Sequence, residues 1–190
     1  MISEESKHFI AEHMKIIVPS IEKKLLEPQV NDYIVHLEHL IKEFVQLARQ
    51  GPEAGPKIND LADSSDIANK CAKEVLDSLR HAFASFAHGG LYDLYTMQEK
   101  EAWYPKILLT DVLEPNDIHT LPELVTIYRG CNIDEHESRN YGQAWTTSED
   151  IAGRFAYEHY EGQQWFDRSK RVVLKTTYSR KNILFSCQQV

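Results

Sequence analysis

The chain has 190 residues, a formal net charge of −8 and 42% hydrophobic residues, so it can build the core of one ordinary domain, or of one domain with a helical annex. It contains no apolar run long enough to cross a membrane, and its polar, amphipathic first residues lack the features of a secretory signal. We therefore expect a cytoplasmic protein, or one exported without such a signal, and no membrane partner.

Acidic charge is concentrated in the first part of the chain. Residues 1–120 hold 12 Lys and Arg against 20 Asp and Glu, whereas residues 121–190 hold 9 against 9. This balance disfavours a broad nucleic-acid footprint but leaves room for a small basic patch on the second part. Cys71, Cys131 and Cys187 stand at unrelated spacings, which argues against a disulfide framework and against a cysteine metal site.

The pattern of apolar residues in the first half of the chain predicts helices. Apolar residues recur at helical spacing over residues 9–25, where Pro19 predicts a kink or a break, and again over residues 33–48. Glycine and proline in residues 51–60 predict a loop. A further helix is predicted over residues 64–88, where a Gly-Gly pair stops it.

The second half predicts strands. Residues 124–130, 170–178 and 183–187 are short stretches rich in β-branched or aromatic residues. Helices first and strands afterwards indicate an α+β fold with a mixed, mostly antiparallel sheet. The sequence thus predicts a helical region over residues 1–104, which forms leading helices or a regulatory annex, and a sheet-containing core over residues 105–190.

A helix start is predicted between the first two strands. Thr147 and Asp150 have the spacing of a capping box. Trp145, Thr146 and Thr147 stand where the chain passes from extended structure to this helix. They offer a flat ring, hydroxyl groups and the backbone N–H groups of a helix start.

Arg129 is a charged residue on a predicted strand face that is otherwise apolar. Side chains alternate along a strand, so Arg129 points to the same side as Val125 and Ile127. A guanidinium cannot lose its charge and is costly to bury alone, so an anionic partner is expected. That partner is either a ligand or, for a structural arginine, an internal carboxylate.

These residues resemble a known enzyme family. The strand motif "YRG", followed by "AWTTSEDIAGRFA" and later by "VVLKTTYSRKNILF", is similar to the arginine-serine-glutamate class of mono-ADP-ribosyltransferases found in bacteria and phages. The similarity covers residues 120–186. It implies a core of the ADP-ribosyltransferase type, and the transfer of ADP-ribose from NAD to a macromolecular acceptor by a toxin, effector or defence enzyme.

The resemblance also implies roles for individual residues. Arg129 would donate charge-assisted bonds to the NAD phosphate and ribose, Thr146 would brace the pocket, and these two would be the catalytic residues. Trp145 or Phe155 would flank the nicotinamide. The implied NAD-binding residues are Tyr128, Arg129, Gly130, Trp145, Thr146 and Phe155.

Two features depart from the family pattern. Ala144 stands where the family has the serine of its Ser-aromatic-Thr motif. The family's Glu-x-Glu, whose glutamate faces the charge that develops on the ribose, is expected a few residues beyond "NILFSC", and no residue here matches it. Three explanations compete: a truncated chain, which is the most economical, a natural pseudoenzyme, or a substitute carboxylate in Glu158 or Glu161. We therefore expect the 190-residue form to be inactive or nearly so.

A function of another class fits the same sequence. The helical region would bind a partner protein, such as an immunity protein or antitoxin, and Arg129 would be structural. His36 and His39 share a helix, but no second ligand-bearing helix is predicted, so we expect no metal site. The acidic residues 134–139 could line an acceptor site, and a solvated loop is their default interpretation.

Overall fold

The computed structural model describes residues 2–98, 103–163 and 166–187. Within these ranges the chain forms α-helices and one two-stranded antiparallel sheet, which confirms the predicted α+β class. It divides into two compact units, Met1–Pro115 and Asn116–Val190. This division lies further along the chain than the boundary predicted after residue 104.

The first unit is built from helices. They are α1 (Glu4–Glu12), α2 (Val18–Leu25), α3 (Ile34–Ala48), α4 (Gly55–Asp63) and α5 (Lys70–Thr96). Their apolar stripes face inward, and Phe44 of α3 meets Phe83 of α5 with ring centroids 5.6 Å apart. Both phenylalanines are fully buried, so α3 and α5 share the centre of the core.

The helix breaks near Pro19, as predicted, but the break lies before the proline, at residues 13–17. α1 ends before it and α2 begins at Val18, so that Pro19 lies in the first turn of α2, where its missing N–H interrupts no helical bond. In the segment between the two helices, Ile16 pairs with Ile107 in an isolated antiparallel bridge. The break therefore ties the amino-terminal helices to the last segment of the same unit.

The loop predicted over residues 51–60 is wrong in its second half, because α4 begins at Gly55. Pro56 lies in the first turn of α4, a position that proline favours, so the residue that indicated a loop marks a helix start instead. Ile58 and Ala62, one helical turn apart, are buried. The turn itself is at Gly51, whose φ of 89° suits glycine.

The last helix of this unit begins later and runs further than the sequence predicts. Asn69 caps it by accepting a hydrogen bond from the Ala72 N–H at 3.0 Å. At Gly89 and Gly90 the backbone leaves helical geometry, with φ values of −131° and 64°, and helical geometry then resumes. The predicted stop is therefore a break inside a longer helical segment.

The second unit is a small two-stranded sheet whose strands are separated in the chain by two helices. Its elements are β1 (Leu124–Asn132), α6 (Ile133–Glu137), α7 (Glu149–Tyr157) and β2 (Arg171–Ser179). β1 and β2 pair in antiparallel fashion with Tyr128 opposite Lys175, which confirms the first two predicted strands.

The third predicted strand, residues 183–187, is wrong. After β2 a 3-10 turn over Arg180–Asn182 redirects the chain. The Asp117 N–H donates to the Ser186 carbonyl at 3.0 Å, but residues 183–187 are not part of a strand. The apolar side chains of this segment match a strand in composition, but a strand also requires a ladder with a neighbouring strand.

α7 begins one residue later than the capping-box pattern predicts. Ser148 is its cap, with Oγ accepting a hydrogen bond from the Ile151 N–H at 3.3 Å. Glu149 and Asp150 lie in the first turn, where the positive end of the helix dipole stabilises their negative charge. Serine and threonine are both good caps, so the sequence alone could not separate Thr147 from Ser148.

Candidate functional site

Two backbone hydrogen bonds bring the strand arginine and the hydroxyl segment together. The Tyr128 N–H donates to the Thr146 carbonyl at 2.7 Å, and the Thr146 N–H donates to the Tyr128 carbonyl at 2.9 Å. They form an isolated antiparallel bridge on the edge of β1 that faces away from β2. The bridge places Arg129 and Trp145, the neighbours of the bridged residues, at the same point of the sheet.

Arg129 is held by an internal carboxylate. Its Nε donates to Glu135 Oε2 at 2.9 Å and its Nη2 to Glu135 Oε1 at 3.1 Å, which is a bidentate ion pair. Nη1 donates to the Ala144 carbonyl at 2.6 Å. The side chains of Arg129 and Glu135 are 17% and 28% exposed, so water screens the pair only in part. The anionic partner expected for this arginine is therefore present within the chain.

Glu135 is the site residue that the sequence did not single out. It belongs to the acidic stretch 134–139, whose default interpretation was a solvated loop, whereas the structure places its first residues on α6. Asn132 caps α6 by accepting from the Asp134 N–H at 3.0 Å, and this turn carries Glu135 back beside β1. The signal that could have found it is the need of Arg129 for a nearby carboxylate.

Gly142 closes this ion pair on one side. Its N–H donates to Glu135 Oε2 at 3.1 Å. A Cβ at this position would overlap the Arg129 guanidinium, so any larger residue would displace the arginine side chain or the loop. Gly142 thus permits the close approach of the loop backbone to the ion pair.

An aromatic cluster lies next to the ion pair. Trp145 Nε1 donates to the Gly142 carbonyl at 3.0 Å, and its ring meets the Tyr141 ring edge to face with centroids 6.1 Å apart. The Tyr141 hydroxyl lies 3.1 Å from His136 Nδ1. Trp145 is half-buried.

Thr146 uses its hydroxyl locally. Thr146 Oγ1 accepts a hydrogen bond from the Ser148 N–H at 3.1 Å, which shapes the turn into α7. A hydroxyl that accepts one hydrogen bond still carries its own proton, so Thr146 keeps the capacity to donate.

Gly130 makes the contact between β1 and α7. A Cβ on Gly130 would overlap the Ala152 carbonyl and the Ala156 backbone N–H, so helix and strand approach each other as closely as glycine allows. Ala152 and Ala156 are buried, one helical turn apart, against this position. The two alanines and the glycine of the sequence motif therefore serve a packing contact.

Phe155 lies on another part of α7. It lines a groove of about 420 Å³ together with Ile151, Arg154, Glu158 and His159. The Phe155 and His159 rings are tilted on each other with centroids 5.0 Å apart. Of the predicted site residues, the structure brings Tyr128, Arg129, Trp145 and Thr146 together, with Gly130 beside them, and it places Phe155 on this groove.

Cys131, close to the arginine in sequence, is buried. Burial, and to a lesser extent the nearby Glu135 carboxylate, raises the pKa of its thiol above the usual range. Its interpretation as a small apolar core residue therefore agrees with its surroundings.

No protein-family model, curated protein or solved structure matches this chain. None of the described helices is long and apolar enough to cross a membrane. The described residues also contain no group of three or more His, Cys, Asp or Glu side chains arranged to hold a metal ion.

Proposed function

We propose that this protein is an NAD-binding member of the mono-ADP-ribosyltransferase type, in which a toxin, effector or defence enzyme transfers ADP-ribose to a macromolecular acceptor. The observation that carries the proposal is the bridge between Tyr128 and Thr146, because it joins two separate sequence motifs into one site. Arg129 and Trp145 are thereby neighbours across the bridge, and Thr146 lies one residue further along the same edge of the strand.

The remaining hydrogen-bond donors of Arg129 suit a phosphate. A guanidinium has five N–H donors, and Glu135 and Ala144 engage three of them, which leaves two without a partner among the described residues. Arginine binds phosphate oxygens well through pairs of N–H groups. In this proposal Glu135 stays in place and fixes the direction in which the guanidinium faces the ligand.

NAD supplies the ADP-ribose, which is released when the bond to its cationic nicotinamide breaks. The described residues act by binding and orienting: Arg129 holds a phosphate, Thr146 donates its hydroxyl proton to the ligand, and Trp145 offers a ring face. Glu135 is committed to Arg129, and Glu158 and Glu161 are exposed. In this proposal none of these three glutamates acts as the catalytic carboxylate, so we expect the chain to bind NAD without transferring ADP-ribose.

Calorimetric titration with NAD tests the proposal. We expect the wild-type chain to bind and Arg129→Ala to lose about ten-fold or more in affinity, because a charge-assisted contact is removed. Arg139→Ala is the matched control, since Arg139 is an exposed arginine of the same unit, and it should bind like the wild type.

Incubation with labelled NAD and a cell lysate separates binding from transfer. The proposal expects NAD binding without labelling of any lysate component. Strong labelling by the 190-residue chain would show that one of its own carboxylates is catalytic. Absence of NAD binding by the wild-type chain would contradict the proposed function itself.

A non-enzymatic interaction module is the second candidate function. The observation that favours it is the Arg129–Glu135 pair, because a carboxylate partner within the chain is what a structural arginine requires. In that case neither the wild type nor Arg129→Ala would show binding in a calorimetric titration with NAD. The helical unit would then bind a partner protein such as an antitoxin.

A further inference from the structure

β2 has one edge that the described residues of its unit leave without a strand partner. The sheet has two strands, so β1 occupies one edge of β2, and the other edge faces away from it. Residues 175–178 of β2 are all exposed. Unpaired N–H and C=O groups on such an edge are a template for strand addition.

The bridge at Tyr128 identifies which backbone groups lie on that edge. Both the N–H and the C=O of Tyr128 point to Thr146, away from β2, so those of its neighbours Ile127 and Arg129 point toward β2. Arg129 is opposite Leu174 and Ile127 is opposite Thr176, so Leu174 and Thr176 bond to β1. It follows that Val173, Lys175 and Thr177 direct their N–H and C=O groups to the free edge.

The described residues that follow β2 begin by turning away from this edge. The Arg180 N–H donates to the Glu123 carbonyl at 2.9 Å, and Arg180 Nη1 donates to the Leu121 carbonyl at 2.6 Å. Both acceptors precede β1, so this segment lies on the β1 side. On the free edge, the Arg171 carbonyl accepts a bond from the Tyr157 hydroxyl at 3.4 Å, so the available part begins after Arg171.

The charge of this edge selects its partner. Residues 168–181 contain Arg168, Lys170, Arg171, Lys175, Arg180 and Lys181 and no acidic residue, in a protein whose net charge is −8. The three arginines donate to the carbonyls of Tyr157, Ala156 and Leu121, respectively. Lys175 in the strand is exposed, as are Lys170 and Lys181 beyond its two ends.

We propose that the free edge of β2 binds an acidic, extended segment of a partner protein as a third strand. Backbone bonds to residues 173–177 would supply the pairing, and the lysines would select glutamate or aspartate side chains. A second copy of β2 is disfavoured, because pairing the same edges would bring like charges together, which is how lysines protect edge strands. This inference does not depend on NAD binding.

The test measures binding of a fluorescent, end-blocked peptide of about seven alternating Glu and Val residues, the length of an ordinary strand. We expect the full chain to bind this peptide at least ten-fold more tightly than its Lys-Val counterpart. Thr177→Pro should weaken binding about ten-fold, because it removes an outward N–H and leaves the ladder with β1 intact. Thr177→Ala is the matched control and should bind like the wild type.

A second measurement leaves the protein unchanged. Methylation of alternate backbone nitrogens of the Glu-Val peptide removes its strand-forming donors without changing its charge, and it should weaken binding to the same extent. Binding that survives both Thr177→Pro and methylation would overturn the proposal, because it would be attraction to the lysines alone. Failure of the Glu-Val peptide to bind, tighter binding of a single-stranded oligonucleotide, or self-association in sedimentation that Thr177→Pro abolishes would also overturn it.

Discussion

At the scale of single residues, the Arg129–Glu135 pair is the feature with the clearest consequence. Glu135→Ala would leave the guanidinium partly buried and without its carboxylate, so we expect a loss of about 1–3 kcal/mol in the free energy of unfolding. Urea denaturation measures it. Glu137→Ala, which removes an exposed carboxylate from the same helix, should change stability by less than about 0.5 kcal/mol. Equal stability of the two variants would show that the ion pair contributes nothing measurable.

The sequence could predict that Arg129 needs an anion, because that follows from the chemistry of a guanidinium on an apolar strand face. It could not identify Glu135, since that requires knowing that α6 folds back beside β1. The acidic residues around Glu135 look alike in sequence, and the structure shows that Glu135 is the one that contacts both Arg129 and the Gly142 N–H.

At the scale of elements, the contact between α7 and β1 depends on Gly130. Gly130→Ala would place a methyl group into the backbone of α7, so we expect a loss of about 1–3 kcal/mol in stability. Gly153→Ala is the matched control. Gly153 lies in the same helix with open space around its Cβ position, so alanine there should stabilise the protein by about 0.5–1 kcal/mol. Thermal unfolding followed by circular dichroism distinguishes the two variants. If Gly130→Ala did not change the stability, the helix and the strand would be able to separate easily.

Periodicity predicted the elements that carry a long, one-sided pattern, such as α3, β1 and β2. It failed where the local signal has two structural meanings. Pro56 is compatible with a loop and with the first turn of a helix, and its helical role is decided by the burial of Ile58. Residues 183–187 have strand-like side chains, but a strand also needs a neighbouring ladder, which sequence does not show.

At the scale of the whole molecule, the two units differ in how much core they contain. Among the described residues, the second unit contributes only Leu121, Val125, Cys131, Ala152 and Ala156 to the buried apolar set, and the first unit contributes all others. We expect Met1–Pro115 alone to unfold cooperatively and Asn116–Val190 alone to lack a cooperative transition, because so few buried side chains cannot offset chain entropy. Circular dichroism melts of the two fragments test this. A sharp transition in the second fragment would contradict it.

The partition into a helical part and a sheet-containing part was predictable, because the type of hydrophobic repeat changes along the chain. The position of the division was not. Residues 105–115 lack a strong repeat, and it is contacts such as the pairing of Ile107 with Ile16 that assign them to the first unit.

The bridge between Tyr128 and Thr146 also fixes both ends of the chain segment that runs through α6. A segment anchored in this way can be lengthened at its tip at small entropic cost, since each doubling of a flexible loop costs only about 0.6 kcal/mol. Arg139 and Asn140 are exposed at that tip. An epitope or a fluorophore inserted between them would therefore report on this half of the protein while leaving its strands in register.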